Sequence, residues 1–341
     1  MINKEVIDKV KQVVEDSNKI VLLTHMSPDG DAIGSSCALG LFLKKLGKTV
    51  NIITPDDYPE YLSWVPGIDL VSSYSSKRLR LNELIKAADL IFFLDHNVEL
   101  RQGFLEPIVK KNSCTKIMID HHPFPKANVD FCFSRTDVTS TCEMVYNFIK
   151  DIYGTNDISS DIATSIYVGI NTDTGGLNYN SSNPETYVVV ADLLSKGINK
   201  MDIHERLYNT FSENRLRLVG YCLHEEMIVL NECSSAIICL SKSIQEKYNF
   251  QNGDSEGLVN IPHQIKGIDV SILITEKEDR VKLSFRSKGC IPINKFAERF
   301  FDGGGHTNAA GGMKKTSLED AVEIIKKNLP DFMNEYKMNE K

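Results

Sequence analysis

Three consecutive residues, Asp120, His121 and His122, are the ones in this sequence best suited to chemistry. They directly follow the apolar run 116–119, whose composition predicts a β-strand. A carboxylate and two imidazoles side by side offer the donor atoms that transition metals prefer. A single histidine at a strand end is usually a structural hydrogen-bonding residue, but packing hardly explains three adjacent polar groups. The triplet therefore predicts a metal site.

A second group of metal-ligand types lies near the N-terminus. A Pro-Asp-Gly turn at 28–30 allows His25, Asp29 and Asp31 to face one point beyond the preceding apolar run. Two carboxylates that close together repel each other unless a cation lies between them. The alternative is structural, with Asp29 as a turn residue and Asp31 as a helix N-cap.

Two further carboxylates follow apolar segments. Asp95 comes directly after the run 90–94, and Asp173 precedes a Gly-Gly pair. Taken alone, Asp95 could cap the next loop and Asp173 could belong to a helix C-terminal turn. Taken together with the two groups above, they complete the ligand set of a two-metal centre, in which Asp95 is the candidate bridging ligand.

The mixed imidazole and carboxylate ligands favour Mn²⁺, Fe²⁺, Co²⁺ or Zn²⁺, whereas carboxylates alone would favour Mg²⁺. Two such ions, about 3.5–4 Å apart, would generate hydroxide and neutralise the charge of a phosphoryl transition state. The predicted chemistry is therefore phosphoester hydrolysis.

The C-terminal third carries a different kind of candidate site. Consecutive glycines expose backbone N–H groups that can bind an anion, and an arginine at a strand end can make a bidentate phosphate contact. The alternatives are a tight loop and a surface arginine in a hairpin. The candidate substrate-binding residues are Arg286, Ser287, Gly303, Gly304, Gly305 and His306.

Alternating strand and helix patterns must position the N-terminal ligands. They predict a doubly wound, mostly parallel α/β sheet, in which the carboxyl ends of the strands meet at one edge. The predicted strands are 19–25, 49–54, 90–95 and 116–121, and the predicted helices are 3–16, 31–46, 140–152, 161–170 and 183–196, the last with Asn183 as N-cap.

The pattern then changes twice. Residues 201–227 are polar and helical, and they predict a linker. Strands follow at 235–240, 270–275 and 281–286, with helices at 292–301 and 317–328. We expect an N-terminal catalytic domain at 1–195, a helical linker at 196–228, and a smaller α/β substrate-binding domain at 229–341.

Composition narrows the function. The net charge of −7 argues against a surface for long duplex nucleic acid, although bound divalent ions would still allow a short nucleotide to bind. No apolar run approaches a membrane span, and the N-terminus lacks a signal-peptide pattern. The eight cysteines, without a Cys-x-x-Cys pair, indicate reduced thiols in a cytoplasmic protein.

The same motifs, in the same order, resemble the DHH phosphoesterase superfamily. Residues 285–289 and 303–311 are similar to its DHH-associated C-terminal domain, so the resemblance runs over nearly the whole chain. A two-domain chain of this length looks most like the bacterial nanoRNase-type oligoribonucleases. That group implies hydrolysis of very short RNAs and linear dinucleotides to mononucleotides, and removal of the 3′-phosphate of 3′-phosphoadenosine 5′-phosphate (pAp).

The resemblance also implies roles for single residues. One metal would be held by His25, Asp29 and Asp95, and the other by Asp31, Asp95, His121 and Asp173. His122 would contact the scissile phosphate, and Asp120 would orient the imidazoles. The ions are expected to be Mn²⁺, with Mg²⁺ or Co²⁺ as alternatives, and relatives of this type often form homodimers.

Two departures from the family pattern leave questions open. His96 follows Asp95, and its imidazole could reach the metals, reach the substrate or be structural. Asp302 stands where many relatives have a fourth glycine, and its carboxylate would weaken anion binding unless it points away.

Other functions use similar parts. A phosphodiesterase for cyclic or linear dinucleotide signals is the main alternative. A pyrophosphatase or polyphosphatase is disfavoured by the Gly-Gly-Gly-His segment, and a long-strand DNA exonuclease by the absence of an added nucleic-acid-binding domain. A catalytically silent regulator would be expected to have lost a metal ligand, and none is missing.

Overall fold

The computed structural model describes residues 4–251 and 253–337, and it divides into two compact units, 1–210 and 211–341. The boundary falls inside the segment 196–228 that the sequence predicts as a linker. That segment has two helices separated by residues 209–212, rather than one continuous helix.

The first unit has a six-stranded sheet in which each strand pairs in parallel with its neighbours. Its strands are β1 (Lys19–Leu23), β2 (Thr49–Thr54), β3 (Val71–Ser73), β4 (Leu90–Leu94), β5 (Thr115–Asp120) and β6 (Phe131–Ser134). The spatial order β3-β2-β1-β4-β5-β6 reverses direction between β1 and β4, as in doubly wound folds. The predicted parallel α/β architecture is confirmed.

In the described residues of this unit, eight α-helices cover both faces of the sheet. They are α1 (Lys4–Asp16), α2 (Gly30–Lys45), α3 (Tyr74–Lys86), α4 (Glu106–Lys111), α5 (Thr141–Tyr153), α6 (Ser160–Asp173), α7 (Pro184–Ser195) and α8 (Lys200–Tyr208). The Asn183 side chain caps α7, as its sequence predicts, by accepting from the Glu185 N–H at 3.0 Å.

The apolar composition of the strands follows from this two-sided cover. In β1, Ile20 and Leu22 enter the core beneath α2 and α5, whereas Val21 and Leu23 enter the core beneath α3 and α4. Because side chains alternate along a strand, a strand covered on both faces needs a continuous apolar run. The polar residues that follow such a run are therefore placed at the edge of the sheet.

The second unit has a smaller mixed sheet with the order β11-β12-β10-β9-β8-β7. Its strands are β7 (Met227–Leu230), β8 (Ser235–Leu240), β9 (Val270–Glu276), β10 (Val281–Ser287), β11 (Gly304–His306) and β12 (Ala309–Lys314). Only β8 and β9 pair in parallel among these strands.

Among the residues that the structure describes, the α-helices that accompany the second sheet are α9 (Glu213–His224), α10 (Lys242–Lys247), α11 (Ile293–Phe300) and α12 (Leu318–Lys337). Helices α11 and α12 pack on one apolar cluster around Phe285 and Phe296, and α9 packs on another. In the described residues, 4–251 and 253–337, no helix is both long and apolar enough to span a membrane.

Candidate metal centre

The candidate ligands of the first unit lie at the carboxyl edge of its sheet. His25 follows β1, Asp95 follows β4, and Asp120 ends β5. The strand order reverses between β1 and β4, and this switch point is where α/β sheets commonly bind their ligands. The sheet topology thus brings together His25 and Asp95, which are 70 residues apart in sequence.

The first cluster contains His25, Asp29 and Asp95, whose ligand atoms all lie within 4.8 Å of one another. The Nε2 atom of His25 is 3.1 Å from Asp95 Oδ2 and 3.9 Å from Asp29 Oδ1. Its Nδ1 atom lies 2.8 Å from the Met26 carbonyl oxygen, to which it can donate. A histidine held in this way directs Nε2 toward the cluster, as metal-binding histidines do.

The second cluster contains Asp31, His121 and Asp173, again within 4.8 Å. The Nε2 atom of His121 lies 3.3 Å from Asp173 Oδ2, 3.9 Å from Asp31 Oδ2 and 3.7 Å from Asp95 Oδ1. One Asp95 oxygen therefore faces His25 and the other faces His121. This is the position that a bridging ligand requires.

Asp120 and His122 form a third contact beside the two clusters. Asp120 Oδ1 lies 2.8 Å from His122 Nδ1, and its Oδ2 accepts from the His122 backbone N–H at 3.0 Å. The Nη1 atom of Arg101 lies 3.1 Å from His122 Nε2. Because arginine can only donate, Nε2 accepts and the ring proton lies on Nδ1, facing Asp120. The carboxylate thus fixes both the orientation and the tautomer of His122.

Burial and charge make this group of carboxylates suited to cations. The pKa of Asp31 is well above its usual value, because of burial and then the charges of Asp95 and Asp29. Burial also raises the pKa of Asp95, but its hydrogen bond to His25 and the charges of nearby imidazoles outweigh that effect and lower it. A divalent ion in each cluster would relieve the repulsion between the acids. The donor set therefore fits two divalent metals.

The imidazole pKa values respond to the same surroundings. Burial and Arg101 lower the pKa of His25, but Asp95 and Asp29 more than compensate, and the net shift is upward. Burial and His122 lower the pKa of His121, which favours the neutral form that binds metals.

The structural alternative for the N-terminal acids is partly correct. Asp29, not Asp31, is the N-cap of α2, and its Oδ1 accepts from the Asp31 and Ala32 N–H groups at 3.0 and 3.1 Å. Asp31 is buried and accepts instead from the first residues of α5, namely the Thr141 and Cys142 N–H groups at 2.6 and 2.8 Å. Capping and the cluster geometry coexist in Asp29.

Two residues near the ligands were not predicted from the sequence. Thr141 donates through Oγ1 to Asp95 at 3.0 Å and through its backbone N–H to Asp31, so it positions carboxylates of both clusters. The only feature of the sequence that points to Thr141 is the Ser-x-x-Glu helix-capping pattern at 140–143. Arg101 lies in a short 3-10 segment, 99–105, and had no motif to identify it.

His96 has a structural role, which answers the question left open by its sequence position. Its Nδ1 atom donates to the Leu94 carbonyl at 2.9 Å, and its Nε2 atom lies 3.1 Å from Gln102 Nε2. Burial lowers its pKa to about 3, so the ring is neutral. His96 thereby links the end of β4 to the segment that carries Arg101.

The candidate substrate-binding residues all lie in the second unit, near the ends of β10 and β12. Arg286 and Ser287 are the last two residues of β10. The Nη1 atom of Arg286 donates to the Phe285 carbonyl at 2.9 Å. Ser287 Oγ donates to the Ile291 carbonyl at 2.7 Å and accepts from Asn308 Nδ2 at 3.0 Å. These contacts hold the loop after β10.

The glycine segment is a short edge strand, not only a loop. Gly304, Gly305 and His306 form β11 and pair with β12, and a Cβ at Gly304 would meet no atom within 4 Å. Packing explains why residue 303 is a glycine, because a Cβ there would clash with the Gly311 carbonyl oxygen. The Gly303 N–H donates to the Ala297 carbonyl at 3.2 Å. The strand β11 is an edge strand of the sheet, and its Gly305 carbonyl accepts from Asn294 Nδ2 at 3.2 Å.

Asp302, next to this strand, is exposed and has a left-handed backbone with φ of 46°. A glycine at that position would adopt this conformation without strain.

Comparisons with known proteins match a family domain to each of the two units. The model of the DHH family, N-terminal domain, matches residues 19–170, and the model of the DHHA1 domain matches residues 235–334. The bifunctional oligoribonuclease and PAP phosphatase NrnA of Bacillus subtilis is 28% identical, over 86% of this chain and 88% of its own length.

Solved structures extend the comparison. An exopolyphosphatase-related protein from Bacteroides fragilis is 42% identical, with a TM-score of 0.92 and 98% of both chains covered. RecJ from Thermus thermophilus, solved with Mn²⁺, is 11% identical with a TM-score of 0.51, over 98% of this chain and 55% of that one. The RecJ likeness concerns the fold alone.

Proposed function

Because this chain belongs to the DHH family of phosphoesterases and carries a DHHA1 domain, we propose that it hydrolyses short oligoribonucleotides to mononucleotides. The substrates would be about two to five nucleotides long and would include linear dinucleotides. We further propose that it removes the 3′-phosphate of pAp to leave AMP. The name of the Bacillus subtilis relative, which covers both activities, supports this choice.

The observation that carries the proposal is the position of Asp95 between two ligand clusters. Its two oxygens face His25 at 3.1 Å and His121 at 3.7 Å. Two divalent ions bound there would supply Lewis acidity toward the phosphoryl oxygens and lower the pKa of attacking water. We propose Mn²⁺ as the native metal, with Mg²⁺ and Co²⁺ as alternatives, because the ligands mix imidazoles with carboxylates.

In this proposal His122 and Arg101 contact the scissile phosphate. Asp120 keeps the Nδ1 proton of His122 in place, so Nε2 faces outward toward Arg101. A phosphate oxygen that entered between the two side chains would accept from the guanidinium and neutralise its charge. Protonated at Nε2, His122 would donate to the same group.

We assign recognition of the non-reacting part of the substrate to the second unit. Arg286 would bind a terminal phosphate, and Ser287, His306 and the outer backbone of β11 would bind around it. Support comes from the fixed loop after β10 and from the open space beside Gly304. A subsite that accepts one phosphate would suit both a short RNA and pAp. We propose a cytoplasmic location, and a homodimer as the assembly.

Two other substrates need direct comparison. A phosphodiesterase for cyclic or linear dinucleotide signals would use the same ligands. Polyphosphate is the second substrate to compare, because the Bacteroides fragilis structure is named an exopolyphosphatase-related protein. The sequence argument against polyphosphate rests on the Gly-Gly-Gly-His segment.

A substrate panel tests the proposal. The purified chain, with Mn²⁺ or Mg²⁺, would receive RNAs of two to twenty nucleotides, pAp, a cyclic dinucleotide and polyphosphate. We expect the highest kcat/KM for dinucleotides, with a fall beyond five nucleotides, and turnover of pAp.

A His121→Ala protein prepared in parallel is the control, and it should have lost these activities. Equal rates on long and short RNA, or a preference for polyphosphate, would contradict the proposal. If His121→Ala still hydrolyses dinucleotides, the candidate metal clusters are not needed for the reaction.

A further inference from the structure

The loops that carry Arg101 and His122 have exposed apolar side chains, among them Phe124 and Leu100. Phe124 is 72% exposed and Leu100 is 75% exposed. Single exposed apolar residues are common on protein surfaces, so exposure alone carries no conclusion. The backbone around Phe124 adds a second observation.

Phe124 has a left-handed backbone, with φ of 59°. This conformation is unfavourable for a bulky residue, and it usually falls to glycine or asparagine. Strained residues persist only where the surrounding structure holds them, and they concentrate at binding and active sites. The fold therefore maintains Phe124 in an exposed position at a conformational cost.

Hydrogen bonds between the two loops supply the constraint. Asn97 donates through Nδ2 to the Pro123 carbonyl at 2.6 Å, and its own carbonyl accepts from the Lys126 N–H at 2.8 Å. The Asn128 N–H donates to Glu99 Oε1 at 2.8 Å. The loop 123–128 is thus tied to the segment 97–99, which starts two residues after Asp95.

The position of Phe124 is close to the chemistry proposed above. Two peptide units separate it from His122, so the Cα atoms are at most about 7 Å apart. Leu100 directly precedes Arg101, whose Nη1 lies 3.1 Å from His122 Nε2. Apolar surface therefore adjoins the groups that we assign to the scissile phosphate.

We propose that Phe124 is the stacking platform for the nucleobase that flanks the scissile phosphate. Leu100, on the tethered loop, contributes further apolar surface to this base subsite. The inference rests on the proposed function, since it assigns a binding residue to the reacting nucleotide of that same substrate. An aromatic ring stacks on any base, so this subsite recognises a nucleoside without reading its sequence.

Dinucleotides that lack one base distinguish this role from a structural one. The wild-type protein and Phe124→Ala would be assayed on ApA and on its two single-abasic analogues. Loss of a stacked base typically corresponds to about 5- to 150-fold. We expect Phe124→Ala to lower kcat/KM on ApA by that factor, mainly through KM, and Phe124→Trp to restore it.

The abasic substrates give the sharper readout. Wild-type protein should discriminate against one of the two analogues, and Phe124→Ala should lose that discrimination. Phe124→Gly relieves the left-handed backbone, so it should lose the same activity while its thermal midpoint does not fall. The matched control is Tyr187→Ala, because Tyr187 is an aromatic residue on α7 that is 49% exposed. This variant should have the kinetics of the wild-type protein.

The outcomes separate the two proposals. If wild-type protein hydrolyses ApA and Phe124→Ala does so equally well, the base platform is wrong and the proposed function stands. If Phe124→Ala loses the same factor on ApA and on both abasic analogues, its role is structural. If wild-type protein does not hydrolyse ApA, the proposed function fails, and the base platform fails with it.

Discussion

Thr141 shows how one residue can connect both ligand clusters without binding a metal. Its hydroxyl donates to Asp95 at 3.0 Å, and its backbone N–H donates to Asp31 at 2.6 Å. The backbone contact survives any substitution except proline, whereas the hydroxyl contact can be removed selectively. Groups that orient a ligand in this way commonly affect metal affinity by about 10–100-fold.

We therefore expect Thr141→Val to weaken metal binding by about 10- to 100-fold, because Asp95 loses a donor while the side-chain volume is kept. Titration of the metal-free protein with Mn²⁺, followed by electron paramagnetic resonance, measures the affinity. Thr141→Ser retains the hydroxyl and is the matched control. Equal Mn²⁺ affinity in the valine and serine variants would show that this hydrogen bond is unimportant.

Arg101 supports a different prediction, since its Nη1 atom lies 3.1 Å from His122 Nε2. Arg101→Ala should leave the Mn²⁺ content unchanged and lower kcat/KM on dinucleotides by about 10- to 100-fold, the value of a charged hydrogen bond. Metal analysis and steady-state kinetics on one preparation decide the question. A variant that loses metal in proportion to activity would place Arg101 in the support of the clusters instead.

At the residue scale, the sequence singles out the candidate ligands, because a carboxylate and two imidazoles together are rare at the end of a strand. The eight candidate residues of the first unit lie near one edge of its sheet. Thr141 and Arg101 were missed for a physical reason. A threonine after a helix cap and an arginine in an irregular segment are ordinary, and only the tertiary fold brings them to Asp95 and His122.

At the scale of elements, the close approach of α2 and α6 sets the second cluster. Asp31 lies in the first turn of α2, and Asp173 ends α6. A Cβ on Gly34 would lie 2.5 Å from the Ser165 carbonyl oxygen and 2.9 Å from Cys142 Sγ. The glycine therefore permits the distance between the helices on which these two ligands depend.

Gly34→Ala should force α2 and α6 apart. Overpacking of this kind costs about 1–3 kcal/mol of unfolding free energy, and we expect weaker Mn²⁺ binding as well. Denaturant unfolding and the Mn²⁺ titration measure the two effects. Gly220→Ala in α9, where a Cβ meets nothing within 4 Å, should instead stabilise by roughly 0.5–1 kcal/mol. A tolerated Gly34→Ala would contradict this account of the packing.

Long elements with a clear period were predictable, and short ones were not. The strand Thr49–Thr54 and the start of α7 after Asn183 agree with the sequence pattern. The strands β3 and β6 were missed, because three or four residues carry no periodicity that separates them from a loop. The strand β11 was missed because glycines have low strand propensity, and pairing with β12 overrides it.

At the scale of the whole molecule, each compact unit has its own apolar clusters, and the eight metal-centre residues predicted from the sequence belong to the first. The sequence could predict two domains from its change in pattern, but compactness depends on contacts between distant segments. A ligand that binds only one unit should stabilise that unit and leave the other unchanged.

The chain contains one tryptophan, Trp64, which lies in the first unit with the Arg206 guanidinium 5.3 Å from its ring centroid. Tryptophan fluorescence therefore reports the unfolding of this unit alone. With free Mn²⁺ at 100 times its Kd, linkage adds about 2.7 kcal/mol, which raises Tm by about 5–10 °C for a domain near 200 residues. Calorimetry on the same samples should show a second transition, from the other unit, that does not move.

Asp95→Asn is the variant that makes this thermal test specific. It removes the negative charge that faces both clusters, so the Mn²⁺-dependent rise of the Trp64 transition should largely disappear. In metal-free buffer, the variant should unfold below the wild-type temperature, because the folded protein loses an ionised carboxylate whose pKa is lowered by the His25 hydrogen bond and the nearby imidazoles. If metal still stabilises the variant as it does the wild type, the ions bind elsewhere and Asp95 does not bridge them.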